Sequence, residues 1–466
     1  MKLKIVYPRS YENEKRYIVD TVFRHFLMLE DVTLGFSDLI DRNEVHIICE
    51  DHSPARKVVL NNLLFQLEEN EWLTEGSLPV TPLEYVNLSG IEGKFLFNYV
   101  PVLYGKSSAK VAYDDGDAIR CDLDLLGGMF FLLTLYEEVV INKYDEHGRF
   151  SYLDSIIFKS ELYSRPVVNE YLEIIKALFT KAGFGSITHS REYKLILSHD
   201  VDVPFSHDAS AFDFIRNILA DLIIRKSFVT FLKKVGARVL PGKSLKYKLD
   251  PYNNLRYLMK VSERYSIKSH FNFITVNGKG NIDGNYEIAD DYFGVLLKEI
   301  HIRGHVIGLH PSYDTFNNFG LLSGQYQKLK GILENLSIPT HGLGGRQHYL
   351  RWRNPETWQI WEDTGLAYDS SLGSEYYMGF RCGTCYEFPV FNLLTRKRLQ
   401  LMEYPLLVMD VCAFRLKSKE NMGNTIMDIS RICRFYNGNM TFLFHNNYAV
   451  TKNQKSYYEH LISELI

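Results

Sequence analysis

From about residue 194 to residue 450 the chain alternates short apolar runs with segments whose apolar residues recur at helical spacing, and that rhythm leaves few folds open. Strands expected at 195–198, 269–275, 305–309, 404–409 and 440–444 are interleaved with helices expected at 254–265, 289–302, 323–336 and 355–364. Such alternation predicts a parallel sheet, open or closed into a barrel, since parallel neighbours need crossover connections. Chemistry is then expected where the strands end.

The first such end is the most informative. Leu195 to Ser198 reads as a buried strand, and His199, Asp200, Val201 and Asp202 follow before Pro204 stops it. If the strand continues, Asp200 and Asp202 point the same way, and adjacent carboxylates repel unless a cation or protons separate them. A divalent metal is the simplest remedy; a turn-capping role is the bland alternative. The strand 305–309 ends in His310, with Asp314 four residues on. Together with Asp202 these make an Asp, His and Asp set suited to zinc or another first-row divalent ion. His199 and His305 are read as structural, the first facing the opposite side of its strand and the second starting one.

At 466 residues the chain exceeds what one hydrophobic core usually serves. Two domains are expected, 1–190 and 191–466, the first a smaller α/β accessory domain. Its expected elements are strands at 3–7 and 45–49, a β-rich stretch at 50–115, and helices at 17–29, 122–140 and 167–179. No catalytic constellation is legible in residues 1–185.

A net charge of -3 gives no global attraction to nucleic acid, and none is expected as a partner. The N-terminus lacks a long apolar run after its lysines, so a cytoplasmic location is expected. Six scattered cysteines agree with a reducing compartment, and the lone pair Cys382 and Cys385 reads as buried thiols.

Residues 205–255 interrupt the strand–helix rhythm. Between Arg225 and Lys248 they hold eight basic residues and no acid, beside apolar Phe214, Ile218, Leu222, Phe228, Phe231 and Leu232. The first reading is a solvated insert packed on the barrel by its apolar stripe. The second is a surface for an anionic glycan or for peripheral contact with a membrane holding a lipid-linked sugar.

The order of Leu197 to Asp202, Ser269 to Phe273, Gly304 to His310, Gly345 to Tyr349, Tyr368 to Ser371 and Leu443 to His445 resembles the ordered motifs of the polysaccharide deacetylases, the NodB-like carbohydrate esterases. The resemblance covers roughly residues 194–450 and implies a distorted (β/α) barrel that binds a divalent metal, zinc being the leading candidate. By that resemblance Asp200 is the general base, Asp202 and His310 are metal ligands, Arg346 braces the base, and His445 protonates the leaving amine. Asp314 stands where a second metal histidine is usual, and His348 where proline is usual. Asp314 is accordingly expected to complete the metal set, and His348, Tyr349 and Trp352 to contact substrate. Asp369 is a candidate to orient His445, and Glu403 to close the pocket floor. The N-terminal half also looks like the region preceding such domains in some bacterial proteins, most clearly at Asp124 to Arg149.

The function implied is removal of N-acetyl groups from an amino sugar in a polysaccharide or glycolipid precursor. The alternatives are an amidase for a small non-sugar amide and a catalytically silent glycan-binding or assembly protein. An open groove lined by Tyr349, Trp352 or Tyr377 would mark a glycan site, and a closed pocket a small amide.

Overall fold

The computed structural model describes residues 1–466 apart from 52–55, 188–190, 279–281, 285 and 416–418. The N-terminal part is built on β1 (Leu3–Tyr7), β2 (Val32–Phe36), β3 (Glu44–Cys49), β4 (Lys57–Asn61), β5 (Glu84–Asn87), β6 (Tyr99–Val102), β7 (Tyr113–Asp114) and β8 (Ala118–Cys121). In β1 the alternation is plain: Leu3, Ile5 and Tyr7 are buried while Lys4 is exposed. Six of these strands form a mixed sheet in the order β2-β1-β3-β4-β8-β7, and β5 and β6 pair separately.

Two helices differ from expectation here. The one expected over 17–29 starts at Glu12 and passes at Asp20 into a π-helical stretch ending at Phe26. Its first turn was hidden because it buries charge: Lys15 donates to the Pro8 carbonyl at 2.9 Å, and Glu14 pairs with Arg396. The helix expected over 122–140 is two helices, Leu125–Leu133 and Tyr136–Ile141, separated at Leu135, whose φ is 48°. Asp124 caps the first, accepting from the Gly127 N–H at 2.7 Å and from those of Leu63 and Leu64 at 2.8 Å.

The second part contains β9 (Lys194–Val201), β10 (His270–Phe273), β11 (Val306–Leu309), β12 (Tyr368–Asp369), β13 (Phe388–Asn392), β14 (Lys397–Glu403), β15 (Val408–Met409) and β16 (Asn439–Leu443). Five pair in the order β11-β10-β9-β16-β15, every pairing parallel. Single-residue parallel bridges, Leu309 to Gly345 and Gly345 to Asp369, carry the run on to β12, β14 and β13. Among the described residues no ladder joins that end to β15, and strand pairing does not show closure into the expected barrel. The strand expected over 404–409 is reduced to β15, because Pro405 has no N–H to give a ladder; the longer strand, β14, precedes it.

A continuous apolar core runs between the two parts. Tyr17 packs on Phe130 and on Phe391 with ring centroids 5.9 and 4.9 Å apart, and the Val168 N–H donates to the Gly383 carbonyl at 2.8 Å. The six cysteines are buried free thiols, and burial holds the Cys382 thiol well above its ordinary pKa.

Candidate metal centre and its flanking acid and base

Parallel pairing places the ends of β9, β11, β15 and β16 at one edge of the sheet, and each delivers a polar side chain there: Asp200 and Asp202, His310, Asp410 and His445. The Leu309–Gly345 bridge adds Arg346 and His348 to the same edge. That bridge requires glycine, because a Cβ at Gly345 would collide with the Leu309 carbonyl oxygen.

Asp202, His310 and His348 converge, with one donor atom from each lying within 4.8 Å of the others. His310 Nε2 is 3.1 Å from Asp202 Oδ1, and His348 Nε2 is 3.9 Å from Asp202 Oδ2. Both imidazoles are held from behind. His310 Nδ1–H donates to the Arg346 carbonyl at 2.6 Å, and His348 Nδ1–H to Asp283 Oδ1 at 2.6 Å. These bonds fix the tautomers that leave each Nε2 lone pair facing Asp202. His310 Nε2 and Asp202 Oδ1 are buried without a hydrogen-bond partner. A carboxylate and two imidazoles whose Nε2 atoms converge fit a divalent ion, which would take the imidazoles in their neutral form.

Asp200 lies beside this cluster, fully buried, and accepts from Asn272 Nδ2 at 2.7 Å and Arg346 at 3.0 Å. Arg346 is itself held by Ser370 and by Ser198 Oγ. Burial is the largest influence on the Asp200 carboxyl and works against its charge. Arg346, then His310 and His445, outweigh it and hold the group below the usual carboxylate range. Asp202 is likewise lowered, with His348, His310 and His445 overcoming burial. Both are therefore ionised at neutral pH. The same burial disfavours charge on His310, but Asp200 and Asp202 raise it above an ordinary histidine.

On the other side of Asp202, His445 Nε2 lies 3.5 Å from Asp202 Oδ2. Its Nδ1–H donates to Asp410 Oδ1 at 2.7 Å. Burial opposes protonation, yet Asp410, Asp202 and Asp200 together push this imidazole up to about 10.

The structure thus brings together Asp200, Asp202, His310, Arg346 and His445 as the sequence suggested, and it moves other residues. Asp314 is not part of the donor cluster: its half-exposed carboxylate accepts from Arg351 at 2.9 Å, because the chain enters a short 3-10 turn after Ser312 that aims it outward. His348 occupies the third donor position instead of standing in the cleft as a substrate contact. Trp352 is also corrected, being fully buried against Trp358 with centroids 4.8 Å apart, and Tyr377 packs with Phe158 and Tyr163. Trp352→Ala should therefore cost roughly 3–5 kcal/mol of stability, read from the denaturant midpoint. A selective rise in KM at unchanged stability would instead restore it to the cleft. Tyr349 remains at the rim, 42% exposed, its ring 4.9 Å from that of His348.

Asp369 does not reach His445; it is turned into its own loop, accepting from the Ser371 N–H at 3.0 Å. Glu403 is buried under Trp358, whose Nε1–H donates to it at 3.0 Å, and burial keeps its carboxyl well above the ordinary value. His199 and His305 are structural as expected, with His199 Nδ1–H donating to the Phe444 carbonyl at 2.7 Å and His305 Nδ1 accepting from the Ser269 N–H at 3.2 Å. Asp410 and Asp283 were missed. Asp410 follows an apolar strand run just as Asp202 does, so the same rule could have found it. Asp283 lies in a loop with no sequence signal. It reaches His348 because Gly284 lets the chain press against the Asp202 carbonyl, where a Cβ would clash.

Residues 3–183 match a family described only as a family of unknown function, DUF7033. No curated protein sequence matches the chain. Among solved structures, the chain is similar to a putative polysaccharide deacetylase from Mycobacterium smegmatis, at 12% identity over 60% of this chain and 85% of that one, with a TM-score of 0.38. It is similar to PuuE allantoinase at 11% identity over 58% and 83% of the two chains, with a TM-score of 0.35. A CE4 family pseudoenzyme from Bacillus anthracis is also similar, at 11% identity over 59% and 62%, with a TM-score of 0.30. Scores this low carry no functional argument, and function must be read from the site itself.

Proposed function

We propose that this protein is a metal-dependent hydrolase that removes the N-acetyl group from an amino sugar in a polysaccharide or glycolipid precursor. The observation that carries the reading is the arrangement around Asp202: a three-donor cluster with a braced carboxylate, Asp200, on one side and a carboxylate-backed imidazole, His445, on the other. Asp202, His310 and His348 would hold the ion, and zinc suits their donor set. When bound, it polarises a carbonyl and lowers the pKa of water.

The remaining work falls to the chain's own residues. Asp200, kept ionised by Arg346, takes a proton from water as its oxygen bonds to the acetyl carbon. His445 carries a proton on Nε2 only as imidazolium, since Asp410 holds Nδ1–H, and it passes that proton to the departing nitrogen as the C–N bond breaks. Acetate and a free amine result. Tyr349, exposed at the rim, offers an aromatic face for a sugar ring.

The test is metal content by elemental analysis of wild type beside Asp202→Ala and His310→Ala, with acetate release from chitooligosaccharides assayed on the same samples. One divalent ion per chain, lost in both variants together with acetate release, is the expected result. Wild type that stays metal-free under excess zinc would overturn the mechanism and leave a silent glycan binder. Metal binding without acetate release from any N-acetylated sugar would turn the reading toward a small amide.

A further inference from the structure

The excursion after β9 folds as a helical hairpin, Ala211–Ile223 and Phe228–Val239, and its polarity is inverted. The inner face buries charge: Lys234 and Asp221 pair at 2.8 Å, almost fully enclosed, and Arg225 joins them at 2.6 Å. Of the six apolar residues expected to pack it on the barrel, half face out: Phe214 is buried and Ile218 and Phe231 are half-buried, but Leu222, Phe228 and Leu232 are exposed. On the first helix the outward residues Phe212, Ile215, Leu219 and Ile223 recur at helical spacing, so they form one stripe. At the tip, Ile223, Ile224, Phe228 and Val229 are 71%, 78%, 62% and 64% exposed. Monomeric soluble proteins rarely leave such a contiguous apolar patch to water.

Charge indicates what covers it. Lys226 sits within the apolar tip, and Lys233 follows Leu232 on the second helix. Both are exposed, and neither has an ion-pair partner among the described residues. No acid occurs anywhere from Arg225 to Lys248. Apolar side chains flanked by unneutralised lysines suit the headgroup boundary of an anionic bilayer, where the former enter the acyl region and the latter meet lipid phosphates. A groove of about 660 Å³ is lined by Asn217, Ile224 and Arg225 of the hairpin region together with Val203, Asp283 and Gly284. Val203 follows Asp202 in the chain, and Asp283 accepts from His348 Nδ1–H at 2.6 Å, so the groove adjoins the donor cluster. No helix among the described residues is long and apolar enough to cross a membrane.

We propose that the Ala211–Val239 hairpin docks this protein on an anionic lipid bilayer, tip first, and that the groove admits the headgroup of a membrane-held substrate to the metal centre. The docking stands on the hairpin alone; only the role of the groove rests on the hydrolase reading. The experiment is co-sedimentation of the full chain with vesicles of phosphatidylcholine alone and of phosphatidylcholine mixed with phosphatidylglycerol. Wild type, an Ile223→Ser/Ile224→Ser/Phe228→Ser variant and a Lys226→Glu/Lys233→Glu variant are compared, with circular dichroism to verify folding and light scattering to give the oligomeric state. Wild type should bind the mixed vesicles and hardly the neutral ones, and each variant should lose on the order of tenfold in affinity. Absence of wild-type binding to the mixed vesicles overturns the proposal, as does retention of full binding by both variants. A wild-type dimer that the triple serine variant dissolves, with no vesicle binding, would assign the patch to a second copy instead. Vesicle binding by a protein that releases no acetate would leave docking intact while the hydrolase reading fails.

Discussion

Replacing His348 with alanine should strip the protein of its metal, whereas Asp314→Asn should leave the metal in place. His348 Nε2 is one of three converging donors, while the Asp314 carboxylate is committed to Arg351. Asp283→Asn should fall between them. It weakens the bond that sets the His348 tautomer and orientation without removing a donor, a change that typically costs 10–100-fold in metal affinity or activity. The expected order of loss, measured by zinc titration against a competing chelator, is His348→Ala greatest, Asp283→Asn roughly 10–100-fold, and Asp314→Asn negligible. Activity should follow the same order. If Asp314→Asn lost metal as fully as His348→Ala, the set of donors suggested by the sequence would be right and the geometry wrong. Because Asp283 has only 1% exposure and also accepts from the Tyr313 N–H at 2.9 Å, part of its effect could be lost stability. Thermal melts with and without zinc separate the two, since ligand that binds only the folded state restores stability in proportion to its affinity.

The strand ends were legible because their signal is local. An apolar run that stops at a carboxylate or an imidazole marks a site in any parallel sheet, and Asp200, Asp202 and His310 are legible this way, whereas His445 is singled out only by the ordered motifs of the resemblance. What could not be read was which loop residue meets which strand end. Asp314 is close to His310 in sequence, yet a short helical turn points it away. His348 and Asp283 lie in separate loops that come together through Gly345 and Gly284, and a close backbone approach leaves no periodicity behind. The same limit applies to the fold. Periodicity located four crossover helices within a few residues, but it missed β13, β14 and the helix Lys419–Phe435, merged two helices over 122–140, and started the first helix late where charge is buried, at Glu14 and Lys15. The hairpin shows a further limit, since an apolar stripe in a sequence cannot say whether it faces a core or lies exposed on the surface.

Asp410→Asn should move the alkaline limb of the pH–rate profile downward. In the wild type, burial lowers the affinity of His445 for its proton, but Asp410 leads the carboxylates that raise its pKa to about 10. Because Nδ1–H is given to Asp410, Nε2 bears a proton only in the imidazolium, so acid catalysis fails as pH rises through that pKa. A cation bound at Asp202 offsets part of the carboxylate pull, and the loaded enzyme should therefore show its limb between about 6.5, the ordinary histidine value, and about 10. With asparagine at 410 the leading favourable charge is gone, and the limb should shift toward the lower value. General acid catalysis contributes roughly 10²–10⁴-fold, so kcat/KM measured above the new limb should fall by a comparable factor while acidic rates change less. Stability follows the same sign. A histidine raised on folding stabilises fully below its unfolded pKa and loses that contribution as pH rises through the folded one, so the variant should show a flatter decline in stability across this window. Asp369→Asn is the comparison, because Asp369 is bound to Ser371 and not to His445. An Asp410→Asn enzyme that is slower at every pH with its limb unmoved would mean that Asp410 only supports the loop, and that a group other than His445 protonates the leaving nitrogen.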